Sequence, residues 1–206
     1  MRQTIDDYFR TLGALPGRAL ATDGGGRPIS LDAFFEAVSD RMREAAAGGN
    51  KLMFIGNGGS ASIASHMAID FGKNGGIPAL AFNDGVTLTC LGNDLGYDQV
   101  FARQIALHGR PGDVLFAISS SGRSANILNG VAAMRALVGA VVGFSGFQPD
   151  NPLRALGDWN LYVPSGEYGF VEIAHLSFCH AILDLAMGWT LERGLWSNGM
   201  AQRGAA

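Results

Sequence analysis

Four short apolar runs recur along the chain, each ending in Gly, Asn, Asp or Ser and each leading toward a helical pattern. They are KLMFIG (51–56), ALAFND (79–84), DVLFAISSSG (113–122) and AVVGFSG (140–146), followed by a shorter WNLYVPS (159–165). Their hydrophobicity is continuous rather than alternating, which suits strands covered on both faces, as in a parallel sheet. Helices are predicted at about 60–71, 97–108, 124–137 and 169–193. Ahead of the first strand, LDAFFEAVSDRMREAAAG (31–48) spaces its apolar residues by three and four and stops at glycine. Strand–helix alternation of this kind predicts a doubly wound α/β fold, a five-stranded parallel sheet flanked by helices. Ligands in such sheets sit beyond the carboxyl ends of the strands, where the Gly, Ser, Asn and Asp residues of this chain collect.

The flanks read differently. Residues 1–30 are expected to form an N-terminal helical extension and a flexible connector, ATDGGGRP (21–28). Residues 31–193 form the α/β body, and 194–206 a loose tail. MRQTIDDYFR is too polar for a signal peptide. No uninterrupted apolar stretch approaches the ~18 residues of a membrane span, so no membrane partner is expected.

Composition narrows the function classes. A net charge of −3 with no Lys or Arg run gives no footprint for nucleic acid. Charged residues make up only 16% against 48% apolar, which predicts that other subunits cover part of the surface. Cys90 and Cys179 lie in apolar surroundings without CxxC spacing and read as buried thiols of a reduced, cytoplasmic protein.

Two loops carry the chemistry. ISSSGRSANIL (118–128) ends a strand and opens a helix, placing Ser119, Ser120, Ser121 and Ser124 around the tight turn at Gly122. Exposed amides and the positive end of the helix dipole make such a junction a phosphate site without net positive charge. Capping alone explains most Ser-Gly turns, but four serines in six positions exceed what a cap needs. GNGGS (56–60) occupies an equivalent junction and lacks both the dinucleotide fingerprint and the P-loop ending.

The combination GNGGSxxxxxH, LGNDLGY, GDVLFAISSSGRSAN and the late E-x-x-H-x-x-x-x-H resembles the sugar isomerase (SIS) domain family, and within it the phosphoheptose isomerase branch. The match runs from about residue 31 to 192. The resemblance implies a flavodoxin-like SIS domain that interconverts sedoheptulose 7-phosphate and D-glycero-D-manno-heptose 7-phosphate. It also implies a homotetramer with active sites between subunits, and a bound zinc. By the same resemblance Ser119, Ser120, Ser121 and Ser124 hold the sugar phosphate. Asn57, Gly58, Gly59 and Ser60 line the sugar, joined by Asn93 and Asp94. His66 matches a metal ligand, His180 a catalytic histidine that also touches zinc, and His175 a retained histidine of unassigned role.

Three positions depart from that pattern. Asp70 stands where the family has a catalytic glutamate, and Glu172 where it has glutamine; Gly169 aligns with an expected aspartate. All three fall around the reacting carbons, while the phosphate loop is intact. Aldose–ketose isomerisation moves a proton between C1 and C2 through an enediol, and so needs a base, a proton shuttle and an electrophile for the enolate oxygen. His66 and Asp70 are one helical turn apart and share a face. With Glu172 and His180 they make a two-histidine, two-carboxylate set suited to zinc or another first-row metal, which acts as a Lewis acid. Without metal, one carboxylate is the base and His180 the partner acid. Asp70 reaches one methylene less than glutamate, so Glu172 is expected to compensate as the base. Isomerisation of another sugar phosphate remains an alternative, as does a non-catalytic phosphosugar-binding module. Lys73, Arg123 and His108 read as ordinary surface or helix-end residues, and Trp159, Trp189 and Trp196 as packing residues.

Overall fold

The computed structural model describes residues 2–191, so the expected tail at 194–206 and Trp196 lie outside the described residues. Among the described residues seven strands form one sheet in the order β2-β1-β7-β6-β5-β3-β4. Five of them are the parallel strands expected: β3 (Leu52–Gly56), β4 (Ala79–Ala81), β5 (Val114–Ser119), β6 (Ala140–Ser145) and β7 (Trp159–Tyr162). β3 and β5 are buried at every position, as their unbroken apolar runs require.

The other two strands correct the sequence reading. The supposed flexible connector is an antiparallel hairpin, β1 (Leu20–Asp23) and β2 (Pro28–Ile29), which adds β1 to the free edge of β7. Asp23 organises its turn: Oδ1 accepts from the amides of Gly25 and Arg27, and Oδ2 from Arg27 Nε. Three glycines disguised a turn whose order comes from one carboxylate.

Among the described residues seven α-helices accompany the sheet. α1 (Arg2–Ala14) precedes it, and α2 (Leu31–Ala47) starts where Ser30 accepts from Ala33 N at its N-cap. α3 (Gly59–Lys73), α5 (Val100–His108) and α6 (Ala125–Ala136) follow the expected pattern, α5 after a 3-10 turn at Tyr97–Gln99. α7 (Tyr168–Ala186) is the long final helix. α4 (Gly85–Leu95) was not foreseen; Asp84 caps it through Thr87 N and Oγ1, bonds that hold the Asp84 carboxyl below its usual range.

Alternation along the strands splits the core in two. Leu52, Phe54, Phe116, Ile118 and Phe144 pack with α2, α3 and α7. Met53, Ile55, Leu115, Ala117 and Val141 pack with α5 and α6 on the opposite face. α7 has the length and hydropathy of a membrane span (19 residues, mean hydropathy 1.3) although no uninterrupted run does. Its Val171, Ala174, Phe178, Ile182 and Leu183 are core residues of the sheet's α2/α3 side.

The chain enters the parallel sheet at β3, adds β4 on one side, and then places β5 on the other. The crevice between the carboxyl ends of β3 and β5 is therefore a topological switch point, the place where open α/β sheets bind ligands. GNGGS leaves one of those strands and SSSGRS the other.

Candidate active site

A pocket of about 270 Å³ occupies this crevice, lined by Asn57, Gly58, Gly59, Ser60, Ser119, Ser120, Ser121, Ser124, Tyr168 and Glu172. Eight of the ten substrate-binding residues expected from sequence line it. Asn93 and Asp94 do not: they lie exposed on α4, hydrogen-bonded to each other at 2.9 Å, and do not reach the pocket within this protomer. Tyr168 was missed, because an exposed tyrosine at the start of an apolar helix carries no signal of its own. Its ring meets Phe147 edge-on at 4.8 Å.

The serine loop divides its labour. Ser119 Oγ accepts from Gly122 N at 3.1 Å and Ser121 Oγ from Arg123 N at 3.3 Å, which stiffens the turn. Gly122 needs its positive φ of 61°, and Asn151 crowds the space a Cβ would take. Ser124 sits at the N-cap of α6 without making the usual side-chain cap bond. The hydroxyl of Ser120 is buried with no hydrogen-bond partner among the described residues. An uncapped helix N-terminus beside an unpaired buried hydroxyl is a site made for an anion. Arg123 contributes no charge to it, being turned outward onto Asp150 at 2.8 Å.

Glu172 lies against Gly59 at the first turn of α3, so closely that a Cβ there would collide with its carboxylate. It makes no hydrogen bond or ion pair among the described residues and faces the pocket unpartnered. Its negative charge complements the α3 N-terminus, which leaves the α6 N-terminus and its serines as the place for a phosphate.

Further along the same two helices, His66, Asp70 and His180 converge, each offering a ligand atom within 4.8 Å of the others. His66 Nε2 is 3.2 Å from His180 Nε2 and 3.4 Å from Asp70 Oδ2. His180 Nδ1 is 3.8 Å from the same Oδ2. Tetrahedral bonds of about 2.0–2.1 Å put ligand atoms ~3.3 Å apart, so the two shorter separations fit a first-row divalent cation. Glu172 does not join this trio. It is two turns away on α7, about 12 Å along the axis, so the four-residue metal set expected from sequence is three residues plus a carboxylate in the pocket.

The remaining candidates are structural. His175 is fully buried, its Nε2 3.1 Å from the Ser145 carbonyl and its Nδ1 unpartnered; burial pushes its pKa down to about 4. Burial raises the Cys179 thiol well above its usual range, so it is inert. Cys90, expected to be buried, is exposed on α4, because that helix buries none of its residues in the protomer. His108 stacks on Phe82 at the end of α5.

A parallel sheet with an anion pocket at its switch point, and a His/Asp cluster along the adjoining helices, defines a phosphosugar-binding α/β protein. The sequence profile of the SIS domain family matches residues 30–146, and the chain belongs to this family. It is 38% identical to the phosphoheptose isomerase of Rhodospirillum rubrum over 143 residues, 66% of this chain and 76% of that one. It is also 38% identical to the phosphoheptose isomerase of Streptomyces coelicolor over 173 residues, 81% of this chain and 73% of that one. The solved phosphoheptose isomerase of Neisseria gonorrhoeae superposes with a TM-score of 0.77 at 28% identity, covering 90% of this chain and 98% of that one.

Proposed function

We propose that this chain is a phosphoheptose isomerase, interconverting sedoheptulose 7-phosphate and D-glycero-D-manno-heptose 7-phosphate by proton transfer through an enediol. The observation that carries the reading is the separation of the anion pocket from the His66–Asp70–His180 cluster along the seam of α3 and α7. Gly59 meets Glu172 at one end and His66 meets His180 further on, so the two helices run in parallel. Eight residues of α7 separate Glu172 from His180, about 12 Å of axis. With phosphate on Ser119, Ser120, Ser121 and Ser124, the sugar runs from the α6 N-terminus along this seam, and the end remote from the phosphate faces the cluster.

In this placement Asn57, Gly58, Gly59 and Ser60 form the floor beneath the sugar, and Glu172 accepts hydrogen bonds from mid-chain hydroxyls. Asp70 turns Oδ2 to the two imidazoles of the cluster, whereas Glu172 lies two turns away beside Gly59, so Asp70 rather than Glu172 takes the proton from carbon. His180 carries protons between the C1 and C2 oxygens. His66, Asp70 and His180 are the residues that would hold zinc; when bound, the ion supplies Lewis-acid polarisation of the substrate carbonyl.

The chain works as a homotetramer in this reading. No residue of α4 is fully buried within the chain, and Ile5, Phe9, Ile69, Val86 and Leu95 are exposed, an apolar surface suited to further copies of the chain. A neighbouring subunit would then supply what Asn93 and Asp94 do not deliver in cis. The test is turnover of ketose phosphates of five, six and seven carbons, with and without added zinc. Preference for the seven-carbon substrate is expected; equal turnover of five-carbon substrates would overturn the heptose assignment.

A further inference from the structure

The pocket is built from two loops that leave neighbouring strands, and the last register pair between those strands is Gly56 with Ile118. Beyond it the loops part. Among the described residues no backbone hydrogen bond joins residues 57–60 to 119–124. If phosphate anchors on the serine loop and sugar hydroxyls meet the GNGGS loop, the spacing between the loops decides whether one substrate satisfies both.

That spacing is set by one contact. Asn57 Nδ2 donates to Asn126 Oδ1 at 2.9 Å, and Asn126 Nδ2 donates back to Asn57 Oδ1 at 2.9 Å. Asn126 is 3% exposed, in the first turn of α6, two residues past Ser124. Tyr97 OH, from the segment after α4, donates to the same Asn57 Oδ1 at 3.1 Å. Two reciprocal amide bonds form a planar ring whose geometry tolerates little sliding, and the third bond fixes the orientation of the Asn57 carboxamide. Asn57 lines the pocket, whereas Asn126 and Tyr97 do not.

We propose that Asn126, seconded by Tyr97, is a positioning residue that holds the sugar loop in register with the phosphate loop and so tunes the site to a sugar phosphate rather than to phosphate alone. The amide pair stitches the first turn after β3 to the first turn of α6, the two elements that bear opposite ends of the ligand. Asn126 acts only through Asn57, so its loss shifts the floor of the sugar site and leaves the serines where they are. Asn126→Leu keeps the volume of the side chain, removes both amide bonds to Asn57 and adds no charge beside the phosphate site.

This inference rests on the reading of the pocket as a sugar-phosphate site. The experiment compares two probes on the full chain: inorganic phosphate, titrated calorimetrically, and sedoheptulose 7-phosphate, read as affinity and as KM and kcat. For Asn126→Leu, sugar-phosphate affinity and KM worsen about 10- to 100-fold while phosphate affinity stays within about threefold. Tyr97→Phe, at an exposed position that spares the fold, moves in the same direction by about two- to fivefold. In the Asn57→Ala background, Asn126→Ala adds no further loss. Equal losses for both probes, no loss for either, or losses that multiply in the double variant each overturn the assignment. If the wild type binds both probes but turns over no sugar phosphate, the isomerase reading fails, while the affinity ratio still decides the role of Asn126.

Discussion

Gly59→Ala separates the position of Glu172 from its chemistry. Gly59 opens α3 with ordinary helical geometry, so alanine is no burden to the backbone and gains up to about 1 kcal/mol in helix propensity. The three atoms nearest its Cβ all belong to the Glu172 carboxylate, the free end of a flexible side chain. Moving that side chain to another rotamer costs about 0.5–1.5 kcal/mol. The two terms nearly cancel, and at about 2–4 °C per kcal/mol the melting temperature stays within about 3 °C of wild type. Function does not cancel: a displaced Glu172 loses a charge-assisted hydrogen bond to substrate, lowering kcat/KM about 10- to 100-fold. Gly56→Ala is the contrast, because its Cβ would strike the backbone of Ser60 and Ala61, which cannot yield. It costs about 3 kcal/mol or more, a melting point roughly 6–12 °C lower. Thermal melts and steady-state kinetics on both variants check this. A Gly59→Ala enzyme with wild-type kcat/KM would refute the role of Glu172, and one that melts like Gly56→Ala would refute the claim that the carboxylate is free to move.

Other expectations follow from individual side chains. Ser120→Ala removes a buried hydroxyl that has no hydrogen-bond partner among the described residues, so stability holds or rises slightly while phosphate affinity by calorimetry falls roughly tenfold; unchanged affinity would contradict the anion site. His175 has a folded pKa of about 4, below an unfolded value of ~6.5, so its contribution is complete above pH 6.5 and is lost as pH falls toward 4. That amounts to about 3 kcal/mol, and His175→Gln should flatten the slope of denaturant-derived stability across this window; an unaltered slope counts against it. Zinc at 100 times its dissociation constant should stabilise the wild type by about 2.7 kcal/mol in thermal shift, and His66→Ala should abolish the shift. A shift that survives in His66→Ala would place the metal elsewhere.

Sequence carried the parallel sheet because β3 and β5 sit between two helical layers and so read as unbroken apolar runs. It carried the serine and GNGGS loops because polar residues at strand-to-helix junctions have few other uses. It did not carry the β1–β2 hairpin, whose order comes from Asp23 gathering amides across three glycines. Nor did it carry α4, where Asp84 and Thr87 were a legible cap but only Leu88 and Leu91 pack, half-buried, against the core. The grouping of His66, Asp70 and His180 without Glu172 was hidden for another reason: it depends on how far α7 slides along α3. Spacing within one helix says nothing about that.

The account stands most directly on proton exchange. Sedoheptulose 7-phosphate incubated with the enzyme and zinc in deuterated water should gain deuterium at C1 or C2 with formation of the aldose, and Asp70→Asn should lose this by about 100-fold or more. No deuterium at either carbon in the wild type, with the phosphate demonstrably bound, would make the chain a phosphosugar-binding module and not an isomerase.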